Sequence, residues 1–267
     1  MYRYGNPTVR RWAKKCKNGS IGIETEAASY GGIAKKTVYF AALTMLIAII
    51  CDLALWYALL NFDTTDVETL SRILIYLGIA LIVAAVVMII CSIVIAIAPK
   101  TTKICGTVYS VIQGAFLGLI AAFVDIFIPF ASIAALLGTA IMFVVCLLLN
   151  KSGVRVKSSV WRVIFAAALS FIVLELLVLA LSYFTGLGSA LFNWIQILSC
   201  LLCIVFACVT IMWDLQNVNY LVENGADKRY EWAVAFALVT SLVYLYIQML
   251  ELLLRLAALF SKSKSKK

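Results

Sequence analysis

The chain has 267 residues; 64% are apolar, 13% are charged and the net charge is +9. An ordinary soluble domain is about 45–50% apolar and roughly a quarter charged, and a mean hydropathy of +1.05 leaves more apolar surface than a water-soluble fold can hide. The composition therefore excludes a soluble enzyme, a disordered tail and a nucleic-acid-binding domain, and it predicts a membrane-embedded chain with room for about seven spans of roughly 20 residues.

The elements follow in chain order. Residues 1–36 are polar and basic and read as a cytoplasmic tail rather than a cleaved leader, because the first apolar run begins only near Thr37. Seven apolar runs then cover about 37–60, 73–98, 104–126, 128–149, 160–184, 194–214 and 232–260. They are continuously apolar, where a barrel strand would alternate, so each is predicted to be a helix. Breakers separate them: Pro99, Pro129, Asn150-Lys-Ser-Gly153 and Gly186-Leu-Gly188. The short link at Pro129 predicts a tight antiparallel pair of runs three and four. A basic tail, 261–267, closes the chain. The expected fold is all-α: a polytopic bundle with a membrane domain over 37–260.

Lys and Arg set the expected orientation. With the N-terminus inside, 16 basic residues fall on the cytoplasmic side and 6 on the other, which favours a cytoplasmic N-terminus. Five of those 6 lie at the C-terminal end, Arg255 and four lysines; either they are a tolerated exception or the seventh run re-enters.

The side-chain inventory narrows the chemistry. The chain has no histidine, which removes imidazole ligands and Ser-His activation, and no Ser-Lys or paired-Asp constellation points to an intramembrane hydrolase. The expectation is a protein that is not an enzyme and carries no cofactor. Most of the 8 cysteines lie within apolar runs and read as small hydrophobes; Cys200-Leu-Leu-Cys203 lacks a second pair and a polar loop.

Acidic residues inside the apolar runs carry more information. Asp52 lies in run one, Glu175 in run five, Asp214 near the end of run six and Glu251 in run seven. A charge at membrane depth costs roughly 2.5–3.5 kcal/mol on insertion scales and usually faces a cavity or a partner. The structural alternatives are clear for each. Glu251 stands four residues before Arg255, the favourable order for a helical ion pair; Asp52 can snorkel to the interface; Asp214 precedes Leu215-Gln216-Asn217, as at a span end. Gly114 and Gly118 have the small-xxx-small spacing of close helix packing. Tryptophans and tyrosines near run ends read as interfacial anchors.

Several segments in order, Asn6-Pro7-Thr8-Val9-Arg10-Arg11, Tyr109-Ser-Val-Ile-Gln113-Gly114-Ala-Phe-Leu-Gly118, Leu137-Gly138-Thr139, Trp213-Asp214-Leu-Gln, Asn224-Gly225-Ala226, Glu231-Trp232 and Val243-Tyr-Leu-Tyr-Ile-Gln248, resemble the bacterial branch of the Bax inhibitor-1/YccA family over most of the chain. The resemblance implies a seven-transmembrane-helix bundle whose last helix is central, and a pH-dependent calcium leak controlled by a carboxylate pair from the sixth and seventh helices. Asp214 matches the first of these acids. The second falls at Gln248, and a family acid in run three falls at Gln113; both are amides here, which cannot ionise. Glu251, on roughly the same face as Gln248, is the substitute acid. Matching Asp214 to Gln248 in depth requires the seventh helix to begin later than Trp232. Lys100 and Lys103 match the family's basic residues between runs two and three and would hold Asp214 ionised. Gly114, Gly118 and Gly138 are the expected packing positions.

Two functions remain open at this point. One is a passive cation pathway, with calcium as the transported ion, Asp214 as titratable gate, Gln248 as its hydrogen-bond partner, and Glu175 and Asp52 as further polar sites. The other is a non-transporting regulator that binds a membrane protease or another membrane protein. Beyond such a partner and the lipid bilayer no partner is indicated, and nucleic acid is not expected. The expected location is a bacterial inner membrane.

Overall fold

The computed structural model describes residues 27–61, 67–157 and 189–264, with scattered helical positions between 159 and 176. Its long helices are α1 (Tyr30–Asn61), α2 (Val67–Ile97), α3 (Thr102–Phe127), α4 (Ala131–Lys151), α5 (Ser189–Glu223) and α6 (Glu231–Lys264). Six of the seven apolar runs thus lie on continuous helices. The fifth run, with Glu175, falls outside the described residues apart from the scattered positions. Among the described helices, five are long and apolar enough to cross a membrane, and a shorter apolar stretch of α2 covers Ile82–Ile97. The protein is an all-helical, multi-pass membrane protein.

The helix ends follow from the breakers. Pro99 lacks an N–H and fixes φ, and the chain there makes a single 3-10 turn, Pro99–Thr101, closed by Thr101 and Thr102 hydroxyls on the carbonyls of Ala98 and Pro99. Before Pro129 the backbone of Ile128 is extended, as the proline ring demands of its predecessor; Phe130 then takes a left-handed φ of 67° at the start of α4. Gly153 and Gly225, at φ of 83° and 59°, end α4 and α5 in a conformation that favours glycine.

Among the described helices α6 is the central one. It packs against α1, α3, α4 and α5, and 56% of its most apolar window is buried, against 11–39% in the other four spans. Its Val234, Val239 and Val243 meet Phe40, Ile95 and Leu221; Leu238 and Leu245 meet Ile204, Ile211 and Cys146; Leu250 meets Val124 and Ala135. Outward, residues such as Ile49, Ile97 and Ile141 are well exposed, as lipid-facing side chains must be.

Three expectations change. Runs three and four do not form a tight pair: α3 has its most extensive contact with α1, and α4 with α6. Gly114 and Gly118 account for the first. A Cβ on Gly114 would stand 2.5 Å from the carbonyl oxygen of Thr44, and one on Gly118 would meet the carbonyl oxygen of Ala48; only glycine lets α3 approach α1 so closely. Second, of the two readings left open for the basic C-terminal end, a re-entrant seventh run lacks the break it would need, since α6 is one continuous helix over 34 residues. Third, α6 begins at Glu231, not later, and α5 runs on nine residues beyond Asp214 to Glu223.

Candidate functional site

That third difference decides which residues meet inside the bundle. Asp214 lies nine residues before the end of α5, and Ser241 lies ten after the start of α6. Two antiparallel helices joined by a short turn place such positions at the same depth. The hydroxyl of Ser241 donates to Oδ2 of Asp214 at 2.6 Å, and Asn217, one turn on, also bonds the carboxylate. Asp214 and Ser241 are each 8% exposed. A hydroxyl donating to a carboxylate at this distance is a charge-assisted bond of the stronger class. The arrangement pins α5 to α6 through one titratable group.

The neighbouring turn of α5 is polar as well. Gln216, buried, faces the backbone N–H and C=O of Val156 and exchanges hydrogen bonds with both when its side-chain amide is oriented with the nitrogen toward the Val156 carbonyl, and Asn219 donates to the side-chain oxygen of Asn150 at 3.3 Å. These contacts fasten the extended chain after α4 to α5. The polar run Asp214–Asn217 is therefore the inner lining of a helix interface, where the sequence alone also allowed a span end.

The other expected residues distribute as follows. Gln248 does not pair with Asp214. It lies seven residues beyond Ser241 on the same face of α6, about 10 Å farther along the axis, and its Oε1 is buried without a hydrogen-bond partner. Glu251 accepts from Nε of Arg255 at 3.0 Å, in a partly buried i,i+4 ion pair. Lys103 stands with its ammonium 5.8 Å from the ring centre of Trp232, at the start of α6 and about 14 Å along that helix from Ser241, not beside Asp214. Lys100 is exposed in the 3-10 turn. Gly138 faces Met249 at ordinary contact distance. Asp52 lies on the other side of α6, against a cavity between α1, α3, α4 and α6.

A second charged site was not legible as such. Glu231, fully buried at the first position of α6, accepts from the backbone N–H of Ser29 at 2.7 Å and from Nζ of Lys36 at 2.5 Å. Lys36 also donates to the carbonyl of Lys228 and lies 5.0 Å from the Trp232 ring centre. Gly32 passes against the Glu231 carboxylate, where a Cβ would collide with its oxygens. Beside it Ala28 donates its N–H to the carbonyl of Ala226 at 2.7 Å, and Ala27 bridges Asp227. The start of α1 is thereby clamped to the α5–α6 turn. The partners are some 200 residues apart, so no local pattern announces them, whereas Ser241 was within reach by counting residues from the turn.

Among the described residues no three His, Cys, Asp or Glu side chains converge as a metal site. The arrangement is that of a membrane bundle with buried carboxylates, of which Asp214 is held by a hydroxyl and Glu231 by a cation and a backbone N–H, while Asp52 has a buried oxygen without a partner. No curated protein and no solved structure shows a significant match to the chain. The model of one protein family, described as Bax inhibitor 1 like, matches residues 6–258, all of the helical bundle but the last turns of α6, and the chain belongs to that family.

Proposed function

We propose that the protein is a passive, pH-sensitive cation leak, with calcium as the ion family resemblance favours, and that Asp214 is its titratable gate. In this reading the bundle has seven spans, with the fifth apolar run supplying the remaining one. The N-terminus faces the cytoplasm of a bacterium, and the chain works without catalysis or cofactor. The observation that carries the proposal is the buried Asp214–Ser241 bond, in which a carboxylate on α5 is held directly by a side chain of the central helix.

The mechanism follows from the acceptor count. An ionised Asp214 accepts from Ser241 and Asn217 together and holds α5 against α6. Protonation turns one carboxylate oxygen into a donor and removes acceptor capacity, so the clasp must rearrange and the interface loosens. Flux is expected to rise as pH falls. Gln248, two turns farther along the same interface, presents a buried carbonyl oxygen without a partner, which suits it to a cation or a water passing along the α5–α6 seam. Glu251 continues that face of α6.

The test is calcium flux into dye-loaded proteoliposomes between pH 6 and 8. Wild type should show a pH-dependent flux. Asp214→Asn, isosteric with the protonated acid and unable to ionise, should conduct with no pH dependence. An unchanged pH profile in Asp214→Asn would refute the gate. No flux at all from folded wild-type protein would favour a non-transporting regulator that binds another membrane protein, such as a protease.

A further inference from the structure

The cavity on the opposite side of α6 is independent of the proposed gate. It has a volume of about 510 Å³ and is bounded by α1, α3, α4 and α6, open on the side where Met45, Ile49 and Ile133 face outward. The α6 residues that line it, Val239, Leu242, Val243 and Tyr246, share one face of that helix. Ser241 lies about 150° away around the axis, by the 100° step per residue. The central helix thus separates this cavity from the Asp214–Ser241 contact.

The lining of this cavity is of two kinds. Most of it is hydrocarbon, from side chains such as Ala48, Leu117, Leu136 and Phe143. Two of its hydroxyls are already committed, since Thr44 and Thr139 donate to carbonyls of their own helices. Against these walls stand two carboxylates, Asp52 from α1 and Asp125 from α3, and among the described residues no Lys or Arg lines the cavity. They are not equivalent. Asp125 accepts the backbone N–H of Ser132 at 2.9 Å and the Ser132 hydroxyl as well, which fastens it to the first turn of α4 and holds the α3–α4 link. Asp52 has no such fastening: its Oδ1 is buried and has no hydrogen-bond partner.

We propose that this cavity binds an organic cation with an apolar body, its ammonium group pairing with Asp52 and its hydrocarbon or aromatic part resting on the walls of α3, α4 and α6. The volume lies within the usual range for a small-molecule site, about 300–1,000 Å³, and such sites combine apolar walls with a few placed polar groups. The sign of the ligand follows from two acids without a base. Its class follows from the scarcity of oxygen ligands. Calcium takes six to eight oxygens, and a carboxylate already bonded by Ser132 together with one free acid among hydrocarbon side chains does not supply them. An ammonium needs one strong acceptor, and Phe143 and Tyr246 add aromatic rings, a residue type cations favour, to the lining.

The experiment uses the full chain in lipid nanodiscs, with 4-phenylbutylammonium as probe and 4-phenylbutanol as its neutral counterpart, each titrated calorimetrically and corrected for empty nanodiscs. Saturable binding of the cation is expected, weakened about tenfold or more by Asp52→Asn, as for loss of a charged hydrogen bond. Binding of the alcohol should be weak and should not change. Ala121→Phe, which keeps both acids and fills the cavity, should abolish binding of both. Equal cation affinity in wild type and Asp52→Asn would overturn the proposal, as would uptake no greater than that of empty nanodiscs, or complete displacement of the probe by millimolar calcium. Asp214→Asn should bind the probe normally, so failure of the gate and failure of this site are read separately.

Discussion

The two ends of the bundle treat a buried carboxylate in opposite ways. Where α1 begins, Glu231 is enclosed and each oxygen is engaged, one by the Ser29 N–H and the other by Lys36. About 33 Å farther along α1, Asp52 stands against open space with an oxygen that nothing bonds. The same functional group serves at one end as a fastening and at the other as an unused acceptor. Burial alone therefore does not mark a functional acid in this protein. What separates the two is whether the surrounding chain supplies donors, because a buried charge is tolerable only when compensated, and a site that leaves it uncompensated is open to a ligand.

The strongest way to break this comparison is to remove the fastening. Glu231→Ala leaves the partly buried Lys36 ammonium beside Trp232 with only the Lys228 carbonyl, and leaves the Ser29 N–H without its acceptor. Breaking a buried pair from one side costs roughly 3–5 kcal/mol, which should appear as a large drop in thermal midpoint in detergent. The double variant Glu231→Ala with Lys36→Met should recover part of that loss, because no uncompensated charge remains. If the single and double variants were equally destabilised, the pair would have no coupling and the clamp would rest on backbone contacts alone.

Next in size is the close approach of α3 to α1. Gly118→Leu places its Cβ against a backbone oxygen of Ala48, with Cys51 Cβ at 2.9 Å, and backbone cannot step aside as a side-chain tip can. A loss of about 1–3 kcal/mol is expected, as for other overpacked interiors. Gly138→Ala, whose Cβ would meet only the flexible Met249 at 3.7 Å, should be nearly silent. The contrast in the same thermal measurement tests whether the small residues matter by their spacing or by what faces them.

How much of this was readable beforehand follows from the same particulars. The spans were legible because six apolar runs and their Pro and Gly breakers need only local sequence, and Gly114 and Gly118 because helix periodicity fixes their common face. The partner of Asp214 was misplaced because alignment to the family's second acid pointed to Gln248, while depth is set by where the turn falls; with α5 ending at Glu223 and α6 starting at Glu231, Ser241 is opposite Asp214. A serine in an apolar run carries no signal of its own. Lys36 and Glu231 meet only through the fold, and Asp125 hid at a helix end, where an acid looks like ordinary loop chemistry until Ser132 is seen to donate to it.

The middle of the molecule supplies the next comparison. Ser241→Ala removes one donor from Asp214 and leaves Asn217, so the carboxylate is impoverished without being orphaned. The expected cost is about 1–2 kcal/mol, the range for one lost bond to a buried charged or polar group. If Asp214 is the gate, the same variant should raise flux at neutral pH and flatten the pH profile less than Asp214→Asn does. A variant that lost stability and kept the wild-type profile would make the bond structural only.

The smallest effect should come from Asp52→Asn. The native carboxylate has an oxygen that no donor reaches, so neutralising it removes the cost of a charge at membrane depth while sacrificing no observed hydrogen bond from Oδ1. Stability should be unchanged or slightly raised, within about 0.5 kcal/mol of wild type or above it. Glu231→Gln, the same acid-to-amide change at the other end, should instead be clearly destabilising, since an amide places an NH2 donor against either Lys36 or the Ser29 N–H. If the two isosteric changes had equal effects, the distinction between a fastened and an unused carboxylate would collapse; if they differ in sign, Asp52 is held in this bundle by something other than stability.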